Sequence, residues 1–438
     1  MRAATPRSHR SCCRPWSPRS ASRPASSSAS AVATIAYVTD IEGLWPKFAA
    51  FLHRNPVVRL CGRNQHGEYL HVNPDCVFVF GGDAVDRGPA ALRLLRLLVD
   101  VKQRQPEQVV LLAGNRDINK LRLLHEVAPS PADRLLPPPT PAELRDASRA
   151  ELLPWILTHT MSAKLAFGCR QQELAHNGAA CDDAAVADSL IADVSADGLL
   201  LRFLKLAQLM YRHQRTLFVH GAVTAANFGL TPTQLGRTTD VTQWQHDLNG
   251  FFAQALAAVD RGERAGYAPL VAYQAPLSGK KLNQSSVVYA RPTDDCFNPQ
   301  LPPAAVVAAL VAQGIDRLVV GHSPIGDAPS LIRSADFELI LADNSYSRLE
   351  HGAQLLLDGT SAQWTGRARL DDGSEHMIAT CHRSGDGGPL GTLDAQTGGL
   401  CGARLADGRY LLSRGLPGWQ RSQVAAMPMQ WTVPVSLK

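Results

Sequence analysis

Six short apolar runs in this chain each lead into a residue that can bind a cation or exchange a proton. The runs are Thr34–Thr39, Cys76–Phe80, Val109–Ala113, Thr216–Val219, Arg317–Val320 and Glu338–Ala342. They end at Asp40, Asp83, Asn115, His220, His322 and Asp343. Carboxylates, imidazoles and an amide oxygen together make a donor set for divalent metals. Two such ions about 3.5–4 Å apart can acidify a water and clamp phosphoryl oxygens, the two demands of hydrolysing a phosphate ester at neutral pH. Taken singly, each residue has a plain explanation. Asp and Asn are ordinary turn formers after strands, a lone His is more often a hydrogen-bonded core residue than a ligand, and an arginine such as Arg87 could be a surface ion pair of little energetic weight. The joint placement is what points to chemistry, because ligand sites in α/β sheets gather at the carboxyl ends of strands.

The elements that must position these residues can be read from the same pattern. Each run has the length and residue types of a buried strand. Helices fit between them. Pro46 can open one with Phe48, Phe51 and Leu52 on its apolar side. Pro89 can open a second through Leu94, Leu95, Leu98 and Val101, ending before Pro106. Asp83 to Asn115 then reads as a βαβ unit. Two long insertions interrupt the core, at about 119–214 and 224–303. The first is mostly helical around the proline-rich stretch Pro129–Pro141, and the second includes a helix near Trp244–Val259. After residue 350, Asp358-Gly359, Asp372-Gly373 and Asp407-Gly408 separate short runs. Asp-Gly between apolar runs is a hairpin signal, so the tail is expected to be antiparallel strands extending the sheet.

The order of short motifs resembles that of the calcineurin-like metallophosphoesterases, nearest to the phosphoprotein-phosphatase branch. The motifs are Asp40-Ile41-Glu42-Gly43, Gly82-Asp83-Ala84-Val85-Asp86-Arg87-Gly88, Gly114-Asn115-Arg116-Asp117, Val219-His220-Gly221 and Gly321-His322-Ser323. They span about two-thirds of the chain and leave the insertions and tail uncovered. The resemblance implies a β-sandwich core flanked by helices and hydrolysis of a phosphate monoester, a phosphoprotein included, by a hydroxide bridging two divalent ions. It implies that Asp83 bridges both metals, that Asp40 and Glu42 complete one site, and that Asn115, His220 and His322 complete the other. Arg87 would grip a phosphate oxygen, as a planar, permanently charged donor suits. Arg291 would be a second phosphate-binding arginine, and Asp343 a supporting group. Asp86, Arg116 and Asp117 would form the catalytic surroundings.

Two positions depart from the family pattern. Asp-x-Glu replaces Asp-x-His, which exchanges a neutral nitrogen for a hard charged oxygen and favours Mn or Mg over Zn or Fe. Arg116 replaces the histidine that, in the family, pairs with the residue at Asp86 and protonates the leaving oxygen. Arginine stays protonated at physiological pH and cannot be that acid. An Arg116–Asp86 ion pair could instead hold a phosphate oxygen or stabilise a leaving oxyanion. Losing a general acid typically costs about 10²–10⁴ in rate, least for phenolates and phosphoanhydrides. The acid could also come from an insertion, where His125, His159, His176 and His213 lie. Two alternatives follow: a nucleotide phosphoanhydride or phosphodiester hydrolase, and a catalytically weak pseudophosphatase that binds a phosphorylated ligand through Arg87, Arg116 and Arg291.

Composition sets the remaining bounds. The chain has 438 residues, enough for one enlarged enzyme core. The first 33 residues hold six Arg, nine Ser and no acid. That is the composition of an organelle transit peptide, mitochondrial or plastid. Without those arginines the body has 38 basic against 39 acidic side chains, so no nucleic-acid surface is expected. No apolar stretch has the length of a membrane span. The nine Cys show no pairing or zinc-finger spacing and read as reduced thiols. The expected organisation is a leader over 1–33, a metallophosphoesterase domain over 34–350 and a β-rich extension over 351–438 packing on it. The expected partners are two divalent ions (Mn, or Mg, Fe or Zn) and a phosphorylated substrate.

Overall fold

The computed structural model describes residues 33–427, apart from 65–66, 348 and 350–352. Residues 1–32, on which the transit-peptide expectation rests, lie outside the described residues.

The chain begins with β1 (Thr34–Val38), α1 (Trp45–Arg54), the hairpin β2 (Val58–Asn64) and β3 (Gly67–Val72), and β4 (Cys76–Phe80). Next come α2 (Ala91–Arg104), β5 (Val109–Leu111) and α3 (Asn115–Asn119). The first insertion supplies α4 (Leu123–Glu126), α5 (Arg149–His159), α6 (Ala166–His176), α7 (Asp183–Ala192) and α8 (Leu199–Leu206), and ends in β6 (Met210–His213). After β7 (Thr216–Val219), the second insertion supplies α9 (Val241–Asp260) and α10 (Arg264–Tyr273). The core resumes with α11 (Ala304–Val311), β8 (Arg317–Val320), β9 (Ser330–Arg333) and β10 (Glu338–Leu341). The tail holds β11 (Gln354–Asp358), β12 (Ser361–Arg369), β13 (Glu375–Arg383), β14 (Leu400–Arg404), β15 (Tyr410–Leu416) and β16 (Gln420–Ala426).

Two sheets form a sandwich. One has the order β13-β12-β11-β1-β4-β5 and the other β6-β7-β8-β10-β9. The period-2 alternation of a strand assigns each residue to a layer. Ile35, Tyr37, Val77, Val79, Val110, Phe218, Val319 and Ile340 share the core between the sheets, where the Tyr37 and Phe218 rings stack at 5.8 Å. Their neighbours Ala36, Val38, Phe78, Phe80, Leu217, Leu318, Val320 and Leu339 belong to a separate core with the helices. Both faces of these strands are buried, which explains why they read as continuous apolar runs.

Helix α2 shows how the outer layer is held. Leu94, Leu95, Leu98 and Val101 are buried on one stripe. Its first turn lacks a side-chain cap of its own. The Glu173 carboxylate on α6 takes that role, accepting from the Leu92 and Arg93 amides at 3.0 Å each. The helical insertion is thereby bolted to the core.

The parallel strands β1, β4 and β5 in one sheet, and β7, β8 and β10 in the other, supply the site. Two elements within the expected insertion and extension join the core sheets. Residues 210–213 of the first insertion are strand, pairing antiparallel with β7 at the sheet edge. In the tail, β11 pairs with β1 itself, so residues 354–383 complete the core sheet, while β14-β15-β16 form a separate small sheet. All three Asp-Gly pairs lie between antiparallel strands, as expected.

Candidate metal centre

The six residues at the strand ends converge. Asp83, His220 and His322 present ligand atoms within 4.8 Å of one another, and so do Asp40, Glu42 and Asp83. Asp83 is common to both groups. The turns that deliver these side chains are strained. Asp40, Glu42, Asp83 and His322 have φ of 53°, 50°, 56° and 59°, and Asp86 has φ of 112°. Such left-handed conformations cost about 1–3 kcal/mol each and persist where the surroundings over-determine them.

Two glycines make the close approach possible. A Cβ on Gly114 would lie 2.1 Å from Asp83 Oδ1, and one on Gly321 would lie 2.4 Å from Asp40 Oδ2. Neither position can carry a side chain without moving a carboxylate.

Each histidine has one nitrogen committed to a carbonyl and one left for the site. His220 Nδ1 lies 2.8 Å from Gly81 O, which leaves Nε2 facing Asn115 Oδ1 at 3.3 Å and Asp83 Oδ1 at 3.4 Å. His322 Nε2 lies 3.0 Å from Tyr289 O. Fixing the outer nitrogen sets the tautomer and aims the inner one. Asp40 Oδ2 accepts from the Thr39 hydroxyl at 2.6 Å and from the His322 amide at 3.1 Å.

The electrostatics are those of a crowded, buried anion cluster. Burial, then Asp343, holds the Asp40 carboxyl well above its usual range. Burial pushes Glu42 up to about 8 against the opposing pull of Arg116 and Arg87. Burial would also raise Asp83, but His220 and Arg116 outweigh it and hold it below the usual value. His220 is pressed down by burial yet raised to about 10 by Asp83 and Asp40, whereas burial, Arg291 and His220 drive His322 well below its ordinary value. Buried carboxylates beside imidazoles with inward nitrogens suit a divalent cation as counter-charge. The set Asp83, Asn115, His220 and His322 therefore fits a metal.

Arg116 sits inside this cluster. Its Nε is 2.6 Å from Glu42 Oε1 and 3.5 Å from Asp83 Oδ2, and its Nη1 is 3.5 Å from Asp86 Oδ2. The Arg116–Asp86 pair expected from sequence is present, but Asp86 has a nearer partner. Lys120, buried one helical turn beyond Arg116, places Nζ 2.6 Å from Asp86 Oδ2. Sequence reasoning missed Lys120, although its i,i+4 spacing from Arg116 is the available signal.

Asp117 has both oxygens occupied by backbone amides. Oδ2 accepts from Asp83 and Gly114 at 2.9 and 3.0 Å, and Oδ1 from Ala84 at 2.8 Å. It holds the turn that carries Asp83 in shape. Arg87 lies at the mouth, its Nε 3.2 Å from Glu42 Oε2 and its guanidinium 4.2 Å from the centre of the Tyr346 ring. Arg291 Nη1 donates to His322 O at 3.0 Å. Asp343 Oδ1 accepts from the Ser345 amide at 2.8 Å. Lys47 binds the same loop through the Asn344 and Ser345 carbonyls at 2.8 and 3.0 Å.

The insertion histidines make their contacts elsewhere. His125 stacks on Tyr267, His159 on Trp155, and His213 packs against Tyr211. His176 is exposed at the end of α6.

No family model and no curated protein matches the chain. Among solved structures, a cold-active protein-tyrosine phosphatase of a psychrophile, Shewanella sp., is similar at 15% identity, with TM-score 0.43, over 79% of this chain and 80% of that one. A protein serine/threonine phosphatase from Saccharomyces cerevisiae, similar to human phosphatase PP5, matches at 11% identity and TM-score 0.37 over 82% of each chain. A metallophosphoesterase from Sphaerobacter thermophilus matches at 11% identity and TM-score 0.28, over 80% of this chain and 88% of that one.

Proposed function

We propose that this chain is a metal-dependent phosphoesterase that hydrolyses a phosphate monoester, with a phosphoprotein as one candidate substrate. One observation carries the reading: two buried groups of ligand atoms share a single carboxylate, Asp83. The ordered motifs agree with it. Asp83, Asn115, His220 and His322 would hold a divalent ion, with Asp40 and Glu42 beside it. A divalent ion there supplies Lewis acidity and lowers the pKa of water. Mn or Mg suits the oxygen-rich side of the site.

The chain's own residues do the rest. Arg87, with its guanidinium at the mouth, binds a phosphoryl oxygen. Arg291, tied to the His322 loop, is proposed as a second grip. Arg116 presents fixed positive charge against the anionic cluster and would stabilise a transferring phosphoryl group electrostatically. Asp86 and Lys120 brace Arg116, and Asp117 fixes the turn that carries Asp83.

Arg116 also favours a second reading of the substrate. It fills the space between Glu42, Asp83 and Asp86 and cannot donate a proton at neutral pH. Aryl phosphates and phosphoanhydrides, whose leaving groups need little protonation, would then be turned over better than alkyl phosphates. Hydrolysis of p-nitrophenyl phosphate with added Mn²⁺ tests the enzyme reading. Wild type should show turnover that Asp83→Asn lacks. Equal turnover in the two proteins rejects it and favours a phospho-ligand-binding role.

A further inference from the structure

Resting on the metal-dependent reading above, we infer that the chain keeps one resident divalent ion, held by Asp83, Asn115, His220 and His322, and that the Arg116 guanidinium is the fixed cation of the other half-site. The two halves are chemically unequal. The histidine half offers ring nitrogens aimed inward, each ring fixed by a carbonyl behind it. The carboxylate half is already engaged by cations and donors. Arg116 Nε lies 2.6 Å from Glu42 Oε1 and 3.5 Å from Asp83 Oδ2. Glu42 Oε2, which makes no hydrogen bond, faces Arg87 Nε at 3.2 Å. Asp40 Oδ2 is taken by the Thr39 hydroxyl and the His322 amide.

Arg116 is built in rather than draped across the surface. Its amide donates to Asp83 Oδ1 at 2.9 Å, Nη1 reaches Ser162 O at 3.4 Å and Asp86 Oδ2 at 3.5 Å, and its side chain is 14% exposed. Lys120 Nζ binds both Asp86 and the Arg116 carbonyl, at 2.6 and 3.3 Å. A guanidinium contacting three buried carboxylates is costly to withdraw, because each acid would be left uncompensated.

Charge balance points the same way. Asp40, Glu42, Asp83, Asp86 and Asp343 face Arg87, Arg116, Arg291, Lys47 and Lys120 across the site. Three of these acids already meet a fixed cation directly, Glu42 and Asp83 at Arg116 and Asp86 at Lys120. One divalent ion on the histidine side adds positive charge for an anionic substrate to meet. A second would crowd like charge into a buried space where charge is least tolerated. Arg116 brings the fork of donors that matches phosphoryl oxygens, and it needs no loading. The Asp-x-Glu and Gly-Asn-Arg-Asp departures are then one change, since Glu42 and Arg116 are partners.

The test uses the full chain, stripped with chelator, reloaded with Mn²⁺ alone and desalted. Metal content and the electron paramagnetic resonance spectrum are then recorded. Wild type should hold one Mn²⁺ per chain with the hyperfine pattern of an isolated ion. Glu42→Gln should keep that ion, His220→Ala should lose it, and Arg116→Ala should take up a second ion with an exchange-coupled spectrum. Arg116→His serves if the alanine variant is unstable. Two coupled ions in wild type, loss of the ion in Glu42→Gln, or a single ion in both Arg116 variants overturns the inference while leaving metal dependence intact. No bound Mn²⁺ in wild type overturns the metal-dependent reading and this inference together.

Discussion

Asp117 provides the sharpest test of how the turn that carries Asp83 is held. Its carboxylate is fully buried and accepts three backbone amides, from Asp83, Ala84 and Gly114. Truncation to alanine strands those three donors. A buried donor left unsatisfied costs about 1–3 kcal/mol, so three give roughly 3–9 kcal/mol. Two effects reduce this. Burial already raises the Asp117 carboxyl to about 7, so its removal relieves a desolvation penalty, and water can enter the gap. The lower end, about 3 kcal/mol, is the expected destabilisation, a large share of a typical total of about 5–15 kcal/mol. Asp117→Asn retains one carbonyl oxygen and two of the three bonds, and should cost about 1–2 kcal/mol. Urea unfolding of the metal-free protein measures both, read as a shift in midpoint at unchanged slope. Mn²⁺ affinity should fall in the same order, because Asp83 leaves its strained φ once the amides are released. An alanine variant within about 1 kcal/mol of wild type would show that the turn holds itself without the Asp117 carboxylate.

Other outcomes follow from the same geometry. Lys120→Ala leaves Asp86 buried without its closest cation and should cost about 3–5 kcal/mol in unfolding experiments, whereas a cost near zero would mean Arg116 alone satisfies Asp86. Arg87→Ala should raise the KM for p-nitrophenyl phosphate on the order of 10- to 100-fold, matching the loss of about 1.5–3 kcal/mol from a hydrogen bond to a charged group; an unchanged KM would remove Arg87 from substrate binding. In chelator-treated protein, the carboxyls of Asp40 and Glu42 are raised relative to the unfolded chain. Their contribution to stability is fully present below the usual carboxylate range and is lost as pH rises towards 8, because the folded state binds the extra protons. Urea midpoints should therefore fall between pH 5 and pH 8 without metal, and Mn²⁺ should flatten the trend; a metal-free midpoint that rises would contradict the raised carboxyls.

Much of this architecture was legible in the sequence because burial on both faces writes a continuous apolar run. The cores on either side of β1 and β4 consume every residue from Ile35 to Val38 and from Val77 to Phe80. The strand-end residues followed at once, as did the hairpins marked by Asp-Gly. The hairpin β2–β3 went unread. Its burial is intermediate over much of β3, so its pattern carries Arg, Glu and His among the apolar residues. Strand β6 was hidden because only Met210 is fully buried within it. Lys120 was overlooked for a different reason. Charged side chains normally lie at the surface, and only the path of the chain after Asn115 shows that this one turns inward. The meeting of Glu42 with Arg116 is likewise a fact of three dimensions, since Glu42 lies in the turn after β1 and Arg116 in α3.

The pairing of β1 with β11 has a consequence for how the molecule is made. Ile35, Ala36 and Tyr37 find their antiparallel partners at Leu357, Leu356 and Leu355. During synthesis, the strand that delivers Asp40 must wait for more than three hundred further residues before that edge is covered. Contacts of such long sequence separation are slow to form, and an uncovered apolar edge invites association with other chains. The nascent protein is thus most vulnerable over most of its translation, and it should depend on chaperones until the tail emerges. A chain cut before Gln354 would keep every candidate metal ligand and still leave the strand beneath the centre open to other chains.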